Sequence, residues 1–232
     1  MTTTAAPADR VQLLASIRGI GHWRVRIIPE SAGQRFQLTS DCREAVERSA
    51  VQFRGWDYPH IPVTQSGFQC GEPVPGGWEA RTDWDRHREL WRLTRSGQFI
   101  HYLALWEDID PEFRDQRILG VSGAVYTLLE IVEFCRRLTG TADYGAAIDL
   151  EIDLANTMDR SLKMLDQTRM LEDRFGTDQD CVQLRRPLPL PLTGSAARTV
   201  ARDLAIELFD TFGCSIGPRI IDGIQEEVSS RR

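Results

Sequence analysis

An α+β fold, helices packed beside a mixed or antiparallel sheet, is what this chain of 232 residues predicts. Three patterns carry that reading. Apolar and polar residues alternate strictly over 22–29 and 148–154, the period of half-buried strands. Apolar residues recur at three- and four-residue spacing over 116–138 and 195–212, the period of amphipathic helices. Two apolar runs, 90–95 and 98–106, flank Ser96-Gly97 as the arms of a hairpin flank its turn.

In chain order, residues 9–18 place Val11, Leu14 and Ile17 on one helical face and stop at Gly19-Ile20-Gly21. The strand over 22–29 sets Trp23, Val25 and Ile27 against Arg24 and Arg26. Ser40 or Asp41 caps a helix whose apolar side is Cys42, Ala45, Val46, Ala50 and Phe53, ended by Gly55. Gly, Pro and Trp over 56–88 predict loops with short strands. In the hairpin, Trp91 and Leu93 face inward; a helix over 88–106 is the competing reading, because its apolar residues also fall near helical spacing. The longest helix, 116–138, closes with Arg136, Arg137 and Gly140. Weaker strands follow at 159–165 and 180–185, and Pro187, Pro189 and Pro191 enforce an extended connector or edge strand. A helix over 195–212 ends at Gly213, and Pro218 opens the last helix, which carries Ile221, Ile224 and Val228.

The acidic segment 107–115, five acids against one arginine, is the expected junction between two lobes. An N-terminal Trp/Arg/His-rich lobe spans 1–106. A C-terminal lobe, with the long helix, a short sheet and two closing helices, spans 116–232.

A net charge of −6 argues against a general duplex-DNA coat or an anionic-membrane binder. The five cysteines are widely spaced and odd in number, which predicts buried free thiols in a reducing compartment. With an N-terminal stretch that lacks signal-peptide character and no apolar run long enough to span a bilayer, a cytoplasmic protein is expected.

No catalytic fingerprint is found. Gly19-x-Gly21 precedes a strand instead of following one, and the single lysine, Lys163, excludes a P-loop. Gly120-Val121-Ser122-Gly123 has the wrong spacing for a nucleophile elbow. The four histidines show no metal-ligand spacing, and no cofactor is expected. Asp149, Glu151 and Asp153 share one strand face and are the candidate metal ligands of an alternative reading, a metal-dependent nuclease or phosphodiesterase.

One distribution is uneven. All six tryptophans and all four histidines lie within the first 106 residues, and Arg81, Arg86, Arg88, Arg92 and Arg95 crowd one stretch of that region. Trp and Arg dominate binding hot spots, because one buries a large rigid surface and the other offers a planar fork of donors. The candidate binding residues are Arg54, Trp56, Asp57, Trp78, Trp84, Arg86, Arg88 and Arg92. Trp56 is expected to turn into the core, with Arg54 and Asp57 paired beside it, and Trp78 and Trp84 are expected to face outward.

The stretches Arg54-Gly55-Trp56-Asp57-Tyr58-Pro59-His60 and Ser96-Gly97-Gln98-Phe99 resemble those of a group of bacterial proteins with RGWDYPH and SGQF segments. The resemblance implies a bacterial, cytoplasmic protein of an accessory or antiviral-defence gene cluster and transfers no catalytic residue. The expected function is a non-catalytic binding or assembly subunit of a multi-protein complex, holding a protein partner or a second copy of itself. Single-stranded nucleic-acid binding, with Trp stacked on bases, is a further alternative that the net charge disfavours.

Overall fold

The computed structural model describes residues 9–62, 71–84, 86–165, 171 and 174–229. Helix α1 (Arg10–Arg18) leads into strand β1 (His22–Pro29), and α2 (Thr39–Ser49) follows. Three hairpin-connected strands come after the loop, β2 (Glu72–Val74), β3 (Gly77–Trp84) and β4 (His87–Thr94), and then β5 (Phe99–Ala104). A short strand β6 (Ile118–Gly120) opens directly into α3 (Val121–Thr139). The remainder is β7 (Ala147–Ala155), β8 (Ser161–Lys163), β9 (Cys181–Pro189), α4 (Gly194–Thr211) and α5 (Pro218–Ser229).

Seven strands form one antiparallel sheet in the order β2-β3-β4-β5-β1-β7-β9, and β6 pairs with β8 in a small parallel ladder. The fold class is therefore the predicted one, α+β. The hairpin reading of 88–106 also holds. Gly97 sits at φ +84°, and a Cβ there would come within 2.5 Å of the Arg35 Cδ and 3.1 Å of the Tyr144 ring, so the turn needs glycine for conformation and for space.

The expected junction at 107–115 does not divide the sheet. Strand β1 hydrogen-bonds to β5 along one edge and to β7 along the other, so strands from both sides of the junction share one ladder. The C-terminal sheet expected to stand alone is accordingly part of the larger one, apart from the β6–β8 pair. Within the junction, a single 3-10 turn at Trp106–Asp108 is clamped from three sides. Arg160, 1% exposed, donates to both carboxylate oxygens of Asp108 at 2.8 and 2.7 Å and to the Ile118 carbonyl at 2.6 Å. Asp108 also accepts from the Gly21 N–H at 2.6 Å.

Alternation assigns the sheet two unlike faces. Trp23, Val25 and Ile27 of β1, Trp91 and Leu93 of β4, and Ile148, Leu150, Ile152 and Leu154 of β7 join the main core under α2, α3, α4 and α5. Each such side chain, fully buried, contributes about 1.5–3 kcal/mol. On the opposite face, α1 covers only Leu90, Tyr102 and Ala104 with Leu13 and Ile17, while Val11, expected inward, is exposed. Further along that face runs a ladder of ion pairs, Arg24–Asp153, Arg26–Glu151 and Arg92–Glu79 among them.

Local signals explain most element ends. Asp9 caps α1, accepting from Val11 N–H at 2.9 Å, and Thr193 caps α4. Asp41 acts from inside α2, reaching back to the N–H groups of Gln37 and Leu38, so that helix starts before the expected cap. The long helix starts later than its periodicity predicts. Ile118 and Leu119 are as buried in β6 as they would be in the helix, and apolar spacing alone does not separate the two. Pro187 and Pro189 lie on β9, an edge strand, where a missing N–H costs no ladder bond. Cys42, Cys135, Cys181 and Cys214 are free thiols; Cys70 lies outside the described residues. Among the described residues no helix is long and apolar enough to cross a membrane.

Candidate functional site

The end of the sheet nearest the β3–β4 turn, the loop after α2 and the first turns of α3 enclose a cleft of about 490 Å³, within the ~300–1,000 Å³ typical of ligand sites. Its loop wall is shaped by backbone. Val51 and Tyr58 exchange N–H···O bonds at 2.9 and 2.8 Å, which pinches off 52–57, and Gly55 takes φ +78° at its tip. Trp56 therefore stands outward at 57% exposure, against the expectation that it turns into the core. Tyr58 fills that inner position instead, edge-on to His101 and Phe134. The expected Arg54–Asp57 pair is also absent. Arg54 reaches α3, where its guanidinium holds the buried Glu130 (Nε at 3.0 Å) and Thr127 (3.3 Å), and Asp57 accepts from the Gln52 amide.

The sheet wall comes from the β3–β4 hairpin. Trp84 ends β3 at 48% exposure, opposite His87 in the register. Its ring centroid lies 6.3 Å from that of Trp56 and 4.7 Å from that of His60. His87 and Glu89, two residues apart, point to the same face. Glu89, 1% exposed, accepts from the His60 N–H at 2.7 Å and pairs with His87 Nε2 at 2.9 Å, while His101 Nε2 lies 3.5 Å away. His101 in turn contacts the Tyr58 hydroxyl at 3.1 Å. Burial opposes ionisation of Glu89, but the positive potential of His101 and His87 outweighs it and brings the carboxyl down to about 2. Burial likewise works against a charge on His87, yet the bond to Glu89 raises it above its ordinary value. His60, desolvated and next to His87, is lowered.

The floor is the side of α3 that presents Gly123, Ala124, Thr127 and Glu130, with Trp106 and Glu107 from the clamped turn at the deep end. Trp106, 39% exposed, rests edge-on against Phe113 at 5.3 Å. Glu107 is 2% exposed; its Oε1 accepts from the Gly120 N–H at 2.8 Å, and its Oε2 has no hydrogen-bond partner. Burial pushes this carboxyl up, with the N–H groups of Gly120 and of Glu107 itself and the charge of Arg160 opposing only in part.

Of the sequence candidates, Arg54, Trp56, Asp57, Trp84 and Arg86 meet at this cleft. Three do not. Trp78 lies on β3, half-buried against the core with the Arg43 guanidinium 5.4 Å from its ring, instead of facing outward from a loop. Arg88 pairs with Asp83 at 3.3 Å along the hairpin. Arg92 is on the far face of the sheet, where it shares the fully buried Glu79 with Arg10. The candidate metal ligands are also on that far face, and arginines neutralise two of them. Asp153 accepts from Arg24 Nε and Arg185 Nη2, both at 2.6 Å, Glu151 pairs with Arg26, and Asp149 is exposed further along the strand. Among the described residues no group of three His, Cys, Asp or Glu is arranged to hold a metal ion.

Sequence reasoning missed His87, Glu89, Trp106, Glu107 and Glu130. The His87-x-Glu89 spacing on a strand was a usable signal, since it places both side chains on one face. Glu107 gave none, because an acid within an acidic stretch reads as a solvated linker. Comparison of the chain with protein-family models, curated proteins and solved structures finds no match.

Proposed function

We propose that this protein is a non-catalytic binding or assembly subunit that grips a protein partner with the cleft. The observation that carries the reading is the convergence of Trp56, Trp84 and Trp106, all substantially exposed, around one concave site. Exposed indoles grouped at a depression form an apolar patch ringed by charge, the composition of an interface hot spot. Two of the supports beneath them are braced by hydrogen bonds, the loop pinched at Val51 and Tyr58 and the turn at Trp106–Asp108 clamped by Arg160. Rigid aromatic anchors lose little entropy on binding. Single-stranded nucleic acid would also stack on these rings, but the cleft is lined by Asp57, Glu89, Glu107, Asp110 and Glu130 against Arg54, Arg86 and His87, an acidic balance that disfavours phosphates. A setting in a bacterial antiviral-defence complex rests on the RGWDYPH and SGQF resemblance.

The test is affinity purification of the full chain from its own host, with the single variants Trp56→Ala and Trp84→Ala beside it. The expected result is one protein recovered in fixed ratio with the parent chain and lost from both variants, whose melting temperatures are unchanged. That protein, expressed separately, then rebinds the parent chain in calorimetry. Recovery of the same proteins by parent and variants overturns the reading.

A further inference from the structure

Glu107 is a buried carboxylate with half of its bonding capacity unused. Its Oε1 is engaged by the Gly120 N–H, and its Oε2, in a side chain 2% exposed on the cleft wall, has no partner. A desolvated carboxylate oxygen without a donor is costly, and the cost is removed when a cation docks on it. Among the described residues no cation does so. Arg160, whose charge reaches Glu107, is engaged by both oxygens of Asp108 and by the Ile118 carbonyl. Arg54 is held by Glu130, and Arg86 lies 3.4 Å from Asp110.

Space and wall chemistry agree with the charge. Gly123 brings α3 close to both groups: a Cβ there would stand in ordinary contact with the Trp106 Nε1 at 3.7 Å and the Glu107 Oε1 at 3.9 Å, so indole and carboxylate line the same end of the cleft. We propose that the deep end of the cleft receives the cationic side chain of a partner protein, an arginine or a lysine, seated on the free oxygen of Glu107 and flanked by Trp106. The inference rests on the binding-module reading and names the chemistry of what enters. The cation belongs to a protein and not to a free metabolite because Trp56 and Trp84, away from Glu107, leave exposed apolar surface that a larger body covers.

The experiment is calorimetric titration of the full chain, in mildly alkaline buffer, with Nα-acetyl-arginine amide, Nα-acetyl-lysine amide and the neutral isostere Nα-acetyl-citrulline amide. Saturable binding is expected for at least one cationic probe and none for citrulline. Glu107→Gln, which keeps an acceptor for Gly120, is expected to weaken the cationic probe about tenfold or more. Equal binding of citrulline, no saturable binding of either cation, or undiminished binding to Glu107→Gln would each overturn the assignment. Should that variant not fold, the comparison of charged and neutral probes on the parent chain decides alone. Tighter binding of free spermidine than of both amino-acid probes would mark a metabolite site and equally overturn it. Cation binding with no partner lost from the Trp84→Ala variant sinks the binding-module reading while leaving the cation site; the reverse result does the opposite.

Discussion

Trp91 and Trp84 belong to neighbouring strands of one sheet, yet one is 2% exposed and the other 48%. Trp91→Ala empties a core site and also frees the His60 carbonyl that its indole N–H now bonds at 2.9 Å. A loss of about 3–5 kcal/mol is expected in urea denaturation. Trp84→Ala is expected to stay within about 0.5 kcal/mol of the parent chain, as surface changes do. Alternation made Trp91 and Trp23 legible as core. The outward setting of Trp84 was legible too, but Trp56 and Trp78 were not, because Gly- and Pro-rich flanks hide the pinched turn that presents one and the strand that carries the other. A second prediction concerns titration. The bond to Glu89 raises His87 and desolvation lowers His60, so NMR of the ring resonances is expected to show His87 protonated above pH 6.5 and His60 titrating below it. His60 titrating above His87 would refute the charge balance drawn for the cleft.

At the scale of elements, β7 shows what periodicity does and does not disclose. Its alternation announces a strand and the face that bears Asp149, Glu151 and Asp153. It says nothing of β1 and β9, which are far away in sequence and bring Arg24, Arg26 and Arg185 into register with Asp153 and Glu151. A row that looks like a metal site from one strand is a charge ladder across three. Asp153→Asn leaves two guanidiniums without their shared carboxylate. A loss of about 1–3 kcal/mol is expected in thermal melts, discounted from the buried-pair range because Arg24 and Arg185 are about a third exposed. Calorimetry of the parent chain with Mn²⁺ is expected to show no binding tighter than millimolar; a micromolar site lost in the same variant would contradict the ladder.

The whole molecule gathers these charges into a pH response. Glu89 is held at about 2 in the fold against an ordinary 4.5, so its contribution is present above pH 4.5 and is lost as pH falls toward 2. His87, being raised, contributes most below pH 6.5, and that part fades as pH climbs through its folded value. Glu89→Gln is expected to flatten the acid limb of the stability profile measured by circular dichroism; an unchanged limb would place acid sensitivity elsewhere. Helix and strand content was legible because it is local. The single sheet was not, since 107–115 looks like a boundary while the pairing of β1 with β7 is invisible to any window of sequence. That pairing has a consequence for biosynthesis. As the chain leaves the ribosome, β1 meets β5 early, but its other edge stays bare until Ala155 has been made. At ~5–20 residues per second, that is on the order of ten seconds of exposed strand, long enough for misjoining with a neighbouring nascent chain. Arg24 and Arg26, whose side chains stand on the far face along that bare edge, repel an identical copy of β1 during the wait and then become the partners of Asp153 and Glu151, so one pair of charges first guards the strand and later seals it.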